Sequence, residues 1–161
     1  AFDVYRELVE ADSGRVFGGD NFFDIAKGYP FGIGKLGTEL TVRDPLMTDA
    51  DGGLVCVGEV PQGCFVKILK GTLRSLVAAA ARARELAEIS AREKVGGEPA
   101  AFFIDCISRV LFLGEGIAAE LEAASGGRPL FGALTLGEIA NNGRDYLEFY
   151  NKTAVMGLLE I

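Results

Sequence analysis

Phe102-Phe103-Ile104-Asp105-Cys106-Ile107-Ser108-Arg109 begins as a run of large apolar residues and ends in a cluster of polar ones. From Ala100 to Ile104 nothing alternates in polarity, the pattern of a strand covered on both faces. A second apolar run starts at Val110, so Asp105, Cys106, Ser108 and Arg109 fall where the strand leaves its sheet. In domains that combine helices with parallel strands, ligand-facing groups collect beyond the carboxyl ends of such strands. The stretch therefore points to a mixed α/β organisation with one candidate pocket.

Immediately upstream, Thr72 is placed to cap a long helix running to about Lys94. Leu73, Leu76, Val77, Ala80, Ala83, Ala87 and Ile89 give it an apolar face, and Glu88 with Arg92 a favourable i,i+4 pair. The thin run Ala78 to Ala81 predicts close packing against a sheet, and Gly96-Gly97 ends the helix. Nearer the start, Phe2 to Val9 and Phe22 to Ala26 read as short helices. Tyr29 to Gly34 is extended, because the residue before Pro30 is pushed out of the helical region. Glu39 to Arg43, Leu54 to Val57 and Cys64 to Leu69 read as strands joined at Asp51-Gly52-Gly53 and Pro61-Gln62-Gly63, an antiparallel meander.

Downstream of the opening stretch, Val110 to Leu113 and Ile117 to Ala124 have helical spacing closed by Gly126-Gly127, and Leu130 to Thr135 is a strand. Gly137-Glu138-Ile139 and Asn141-Asn142-Gly143 read as an irregular crossing loop. Tyr146 to Tyr150 and Thr153 to Leu159 read as a hairpin turning at Asn151-Lys152. The expected fold is α+β: a mixed, mostly antiparallel sheet with one long helix and a second, shorter helix packed on it. No repeat or linker interrupts the chain, so residues 1–161 are expected to form a single domain.

The totals narrow the function. Sixteen basic against 23 acidic residues give a net charge of −7 without a dense Lys/Arg run, which disfavours nucleic acid and anionic membrane as partners. Histidine is absent, so no imidazole base, His metal ligand or Cys-His pair is available within the chain. Three cysteines, Cys56, Cys64 and Cys106, lack C-x-x-C spacing, which fits a reducing cytoplasm better than a disulfide framework. No apolar run is long enough to span a bilayer. The chain opens at Ala1, mid-pattern, and is expected to be a piece of a longer protein.

Several stretches together resemble one family, the FIST C-terminal domain. Phe103 to Arg109 resembles its F-S-C-x-G-R signature, Gly132 to Ile139 its G-x-x-T-x-G-E-I, and Asn151-Lys152-Thr153 its N-x-T before a last strand. Tyr29 to Ile33 and Val42-Arg43-Asp44 resemble the family's opening, and Val60 to Gly63 its i-P-x-G. Asp105 stands where Ser is usual, Ser108 where Gly is usual, and Tyr150 where His often precedes the Asn. The resemblance implies a sensory domain of a signal-transduction protein that binds a small metabolite such as an amino acid. It also implies an N-terminal FIST domain and attached signalling domains or proteins as partners. Eukaryotic relatives serve as recognition modules in ubiquitin-ligase adaptors, so an interaction module without a small ligand is the alternative.

The expected ligand-binding residues are Cys106, Ser108, Arg109, Gly137, Glu138, Asn151, Thr153 and Arg43. A guanidinium at Arg109 suits a carboxylate and Glu138 an ammonium group, the two halves of a zwitterion. Each has an internal reading as well: Arg109 as an ion pair with Asp105 or Glu138, Glu138 as a partner for orphan amides, Arg43 as an ion pair with Asp44. Asn151 and Thr153 also suit turn chemistry. A helix starting just after Cys106 would favour its thiolate, which keeps a redox switch in view, whereas a buried structural cysteine is the plainer reading. Neither catalysis nor a cofactor is expected, and a homodimer through the C-terminal hairpin is a further option.

Overall fold

The computed structural model describes residues 1–34, 40–91, 99–140 and 146–160. They divide into two compact units, Ala1–Gly71 with Phe149–Asn151, and Thr72–Glu148 with Lys152–Ile161. Both contain helices and strands, and the chain is α+β with mixed, mostly antiparallel sheets.

Unit 1 opens with α1 (Phe2–Ser13) and α2 (Phe22–Ala26), followed by β1 (Phe31–Ile33), β2 (Thr41–Arg43), β3 (Pro45–Thr48), β4 (Leu54–Cys56) and β5 (Val66–Ile68). Tyr5 and Val9, one helical turn apart on α1, are buried with Ile25 and Ala26 of α2. Phe17, Phe22 and Phe31 close around them, with Tyr5 edge-on to Phe31 at 5.3 Å between ring centres. The expected three-strand meander does not form. β1 is central, antiparallel to β2 on one side and to β5 on the other. The chain at Leu54 pairs instead with Pro45–Thr48, a strand the polarity pattern did not announce. Turn chemistry decides this: Asp49 Oδ1 accepts from the amides of Asp51 (3.0 Å) and Gly53 (2.6 Å), and Gly52 takes φ 74°. Glu39 lies outside the described residues.

Unit 2 contains α3 (Leu73–Ala91), β6 (Ala100–Cys106), α4 (Ile107–Leu113), α5 (Ile117–Ser125), β7 (Leu130–Thr135), β8 (Glu138–Ala140) and, after β9 (Glu148–Tyr150), β10 (Ala154–Leu159). The α3 N-terminus is doubly capped: Thr72 Oγ1 accepts from the Ser75 amide (3.1 Å) and Ser75 Oγ from the Thr72 amide (2.9 Å). Of its expected apolar face, Ala80 is fully buried, but Leu73 and Ile89 stand exposed at the two ends. The expected C-terminal extension to Lys94, Arg92 and Gly96-Gly97 lies outside the described residues. Glu88 pairs with Arg128 (2.6 Å) and Arg84 (3.7 Å).

The unit 2 sheet has the order β10-β6-β7. β6 and β7 are parallel, and the crossover that parallel strands require is supplied by α4 and α5. Phe103 on β6 packs with Ala80 of α3, Ala124 of α5 and Met156 of β10. Two alanines at the helix surfaces let both helices approach the sheet closely, so α5 also packs against α3. The expected C-terminal hairpin is corrected. Ala154–Leu159 pairs antiparallel with Asp105–Ala100, and Glu148–Tyr150 is not in that sheet. A six-residue strand with no charge in it buries more beside the seven-residue β6 than beside a three-residue neighbour. Gly137-Glu138-Ile139 is likewise less irregular than expected, with Glu138–Ala140 extended as β8, while Asn141-Asn142-Gly143 lies outside the described residues.

Candidate functional site

β6 delivers its polar residues in alternation. Asp105 and Phe103 share one face, so Asp105 enters the layer under α3 and α5, where it is wholly buried. Arg109 follows four residues later on α4, and Glu120 approaches from α5, also wholly buried. Arg109 Nε lies 3.0 Å from Asp105 Oδ1, and Nη2 donates to Glu120 Oε1. The same guanidinium donates to the carbonyls of Leu76 (2.9 Å) and Lys152 (3.3 Å). Nη1 and Nη2 of Arg109 thus donate to internal acceptors, whereas its buried Nε meets Asp105 as an ion pair without a hydrogen bond. One guanidinium between two carboxylates leaves an excess negative charge, and burial with Glu120 beside it pushes the Asp105 carboxyl up to about 7, against the pull of Arg109.

Beyond the ends of β6 and β7 lies a second cluster. Cys106 is buried with its Sγ 3.2 Å from Ser108 Oγ. Glu138, also buried, accepts from the hydroxyls of Thr135 (2.9 Å) and Thr153 (2.6 Å), while the Thr153 carbonyl accepts from the Cys106 amide (3.3 Å). Gly137 sits in the bend that turns β7 into β8 and brings Glu138 inward. Burial raises the Glu138 carboxyl, and the two hydroxyls draw it partly back. Burial also raises the Cys106 thiol, against the thiolate that a helix start just after it would favour and in keeping with the plainer reading of a buried structural cysteine. The left-handed residue of the Asn151-Lys152 turn is Lys152, φ 54°, rather than Asn151. Lys152 Nζ donates to the Ser108 carbonyl at 3.4 Å.

Cys106, Ser108, Arg109, Gly137, Glu138 and Thr153 thus belong to unit 2, whereas Arg43 and Asn151 belong to unit 1. Arg43 is buried and donates to the carbonyls of Glu59 (2.9 Å), Val42 (2.9 Å) and Phe149 (2.8 Å), with the Phe149 ring 5.5 Å beneath it. It ties the excursion at Phe149 into unit 1. Asn151 is buried, and its Oδ1 has no hydrogen-bond partner among the described residues.

Unit 1 also holds an open groove of about 880 Å³, and none of the eight expected site residues lines it. Val4 and Leu8 of α1, Phe31 of β1, Leu54 of β4 and Val66 and Ile68 of β5 form apolar walls. Asp12, Tyr29 and Lys70 supply a polar end. Asp12 Oδ2 accepts from Lys70 Nζ (2.6 Å) and the Tyr29 hydroxyl (2.7 Å), and Lys70 lies 5.7 Å from the Tyr29 ring centre. Those bonds hold the Asp12 carboxyl below its usual range and Lys70 above it. Sequence reasoning missed the groove because its residues come from five separated segments. The available signal was Leu8 and Asp12 one helical turn apart on α1.

With both geometries in view, comparison with known families assigns the chain. The FIST C domain model matches residues 1–141, and the chain belongs to that family, a class of sensory signal-transduction domains. No curated protein and no solved structure matches the chain. No described helix is long and apolar enough to cross a membrane.

Proposed function

We propose that the chain is a ligand-binding sensory domain and that the unit 1 groove is where a small metabolite of amino-acid type sits. The observation that carries this reading is the groove itself: apolar walls with an acid and a base side by side at one end. Pockets for small molecules have this make-up, mostly apolar with a few convergent polar groups. Lys70 and Asp12 are 55% and 52% exposed, so their pair is weakly held and can open to meet the carboxylate and ammonium of a zwitterion. Arg109 lacks that freedom, since its two carboxylate partners are buried with it. The wall favours an amino acid with a large apolar side chain over a small or charged one.

A thermal-shift panel of amino acids tests this. A ligand at 100 times its dissociation constant adds about 2.7 kcal/mol, a rise of roughly 5–10 °C in Tm for a chain of this size. Leucine- or phenylalanine-like compounds are expected to give the shift, and Lys70→Ala to reduce it. A flat response to the whole panel would overturn the reading. The second reading, a protein-interaction module, has an observation of its own in the apolar surface around β7.

A further inference from the structure

The core of unit 2 holds two acids against a single base. Asp105 and Glu120 are wholly buried, and Arg109 between them is 3% exposed. Arg109 spends Nε on Asp105 Oδ1 and Nη2 on Glu120 Oε1. The other oxygens, Asp105 Oδ2 and Glu120 Oε2, have no hydrogen-bond partner among the described residues. The elements packed around the cluster bring no second cation to it. On either side of Asp105 in the sheet stand Leu134 of β7 and Ala154 of β10. From α3 comes the Leu76 carbonyl; Arg84 of that helix pairs with Glu88 at 3.7 Å, and Arg74, Arg82 and Glu85 are exposed. Arg109 is the one charged residue of α4, while Glu115 and Glu122 stand in solvent. Lys152 offers Arg109 its carbonyl and sends Nζ to the Ser108 carbonyl. Cys106, the next titratable group on β6, turns to the opposite face and meets Ser108.

We propose that this cluster is a proton-binding site: one proton held between Asp105 and Glu120 completes it, and loss of that proton releases α5. The argument is one of charge. Two buried carboxylates on one guanidinium leave an uncompensated charge in a dry core, a state a fold avoids by neutralising a group. A hydrogen on Asp105 leaves Glu120 and Arg109 as a balanced pair and gives the acid a donor for an oxygen of its neighbour. Burial and the charge of Glu120 raise the Asp105 carboxyl to about 7, so the proton exchanges within the physiological range. No group of three or more metal-ligating side chains forms among the described residues, so a divalent ion is a poorer fit than a proton. α5 is the element that yields. Its buried residues are Glu120 and Ala124, so this acid and one methyl group are its anchors, whereas β6 is paired on both sides. Lifting α5 lets water reach Glu120 and relieves the repulsion. The docked helix keeps the proton at a pH where the lifted helix has lost it. Lifting therefore becomes easier as pH rises towards about 7 and changes little above. This inference is independent of the groove: it concerns unit 2 and needs no metabolite.

Hydrogen exchange of the whole chain across a pH series, read as protection factors, is the test. Protection of the Ile117–Ser125 amides is expected to fall at least about tenfold from about pH 5 to about pH 7 and then to level off. Asp105→Asn, neutral and of the same shape, should hold that protection high throughout. Carbon-13 NMR of the unaltered chain gives a check free of any variant: the Asp105 carboxyl should ionise near 7. Constant protection of α5 across the series overturns the proposal, as does an undiminished slope in Asp105→Asn. So does an Asp105 carboxyl that ionises in the usual carboxylate range. A pH midpoint that moves when choline chloride replaces sodium chloride at equal ionic strength would also overturn it, because an alkali cation would then supply the second charge.

Discussion

Asp105 occupies a site where an acid is hard to ionise: buried, beside Glu120, with a single guanidinium between the two. Its carboxyl rises from 3.8 to about 7 on folding, so between those values the folded chain holds a proton that the unfolded chain has lost. The unfolded state then binds fewer protons, and stability falls as pH rises through that window and levels off above it. Glu138, also raised by burial, contributes with the same sign. The expected result is a lower urea midpoint at about pH 8 than at about pH 5, with most of the slope gone in Asp105→Asn. A midpoint that climbs from pH 5 to 8 in the parent chain would contradict this assignment. Family resemblance marked Asp105 as a departure from Ser, and adjacency in sequence allowed an ion pair with Arg109. Glu120 was not legible, because an acid on a helix otherwise rich in alanine reads as solvated until the helix is docked.

Among the elements, the closest fit is between β6 and β7. A Cβ on Gly132 would overlap the carbonyl oxygen of Phe103, so this spacing admits only glycine. Gly132→Ala is expected to cost about 3 kcal/mol through displacement of one strand, read as a lower denaturation midpoint with far-UV dichroism retained under native conditions. An unchanged midpoint would mean that the strands can separate freely. Element identity was largely legible: the α3 cap at Thr72, the unbroken apolar run of β6 and the strand at β7 all follow from local chemistry. Pairing was less so. β1 lies between β2 and β5, and β10 lies beside β6, because burial of both faces is decided by partners far away in sequence. Period and propensity are local signals and carry no such information.

At the scale of the whole molecule, the net charge of −7 governs encounters with other macromolecules. At about 0.1 M salt the chain should pass through a heparin column without retention, and retention would reveal a basic face that the composition conceals. The covalent path has a further consequence. Leaving unit 2 after Glu148 and re-entering it at Lys152, the backbone delivers β10 to a position beside β6, the central strand. During synthesis, β6 and β7 emerge from the ribosome while the slot for Ala154–Leu159 still stands vacant, and Asp105 to Ala100 present an unpaired row to whatever is near. The nascent chain therefore passes through a stage in which the central strand of this sheet needs shielding. That places the demand for chaperone protection on the second unit, in the interval before Ala154–Leu159 is made.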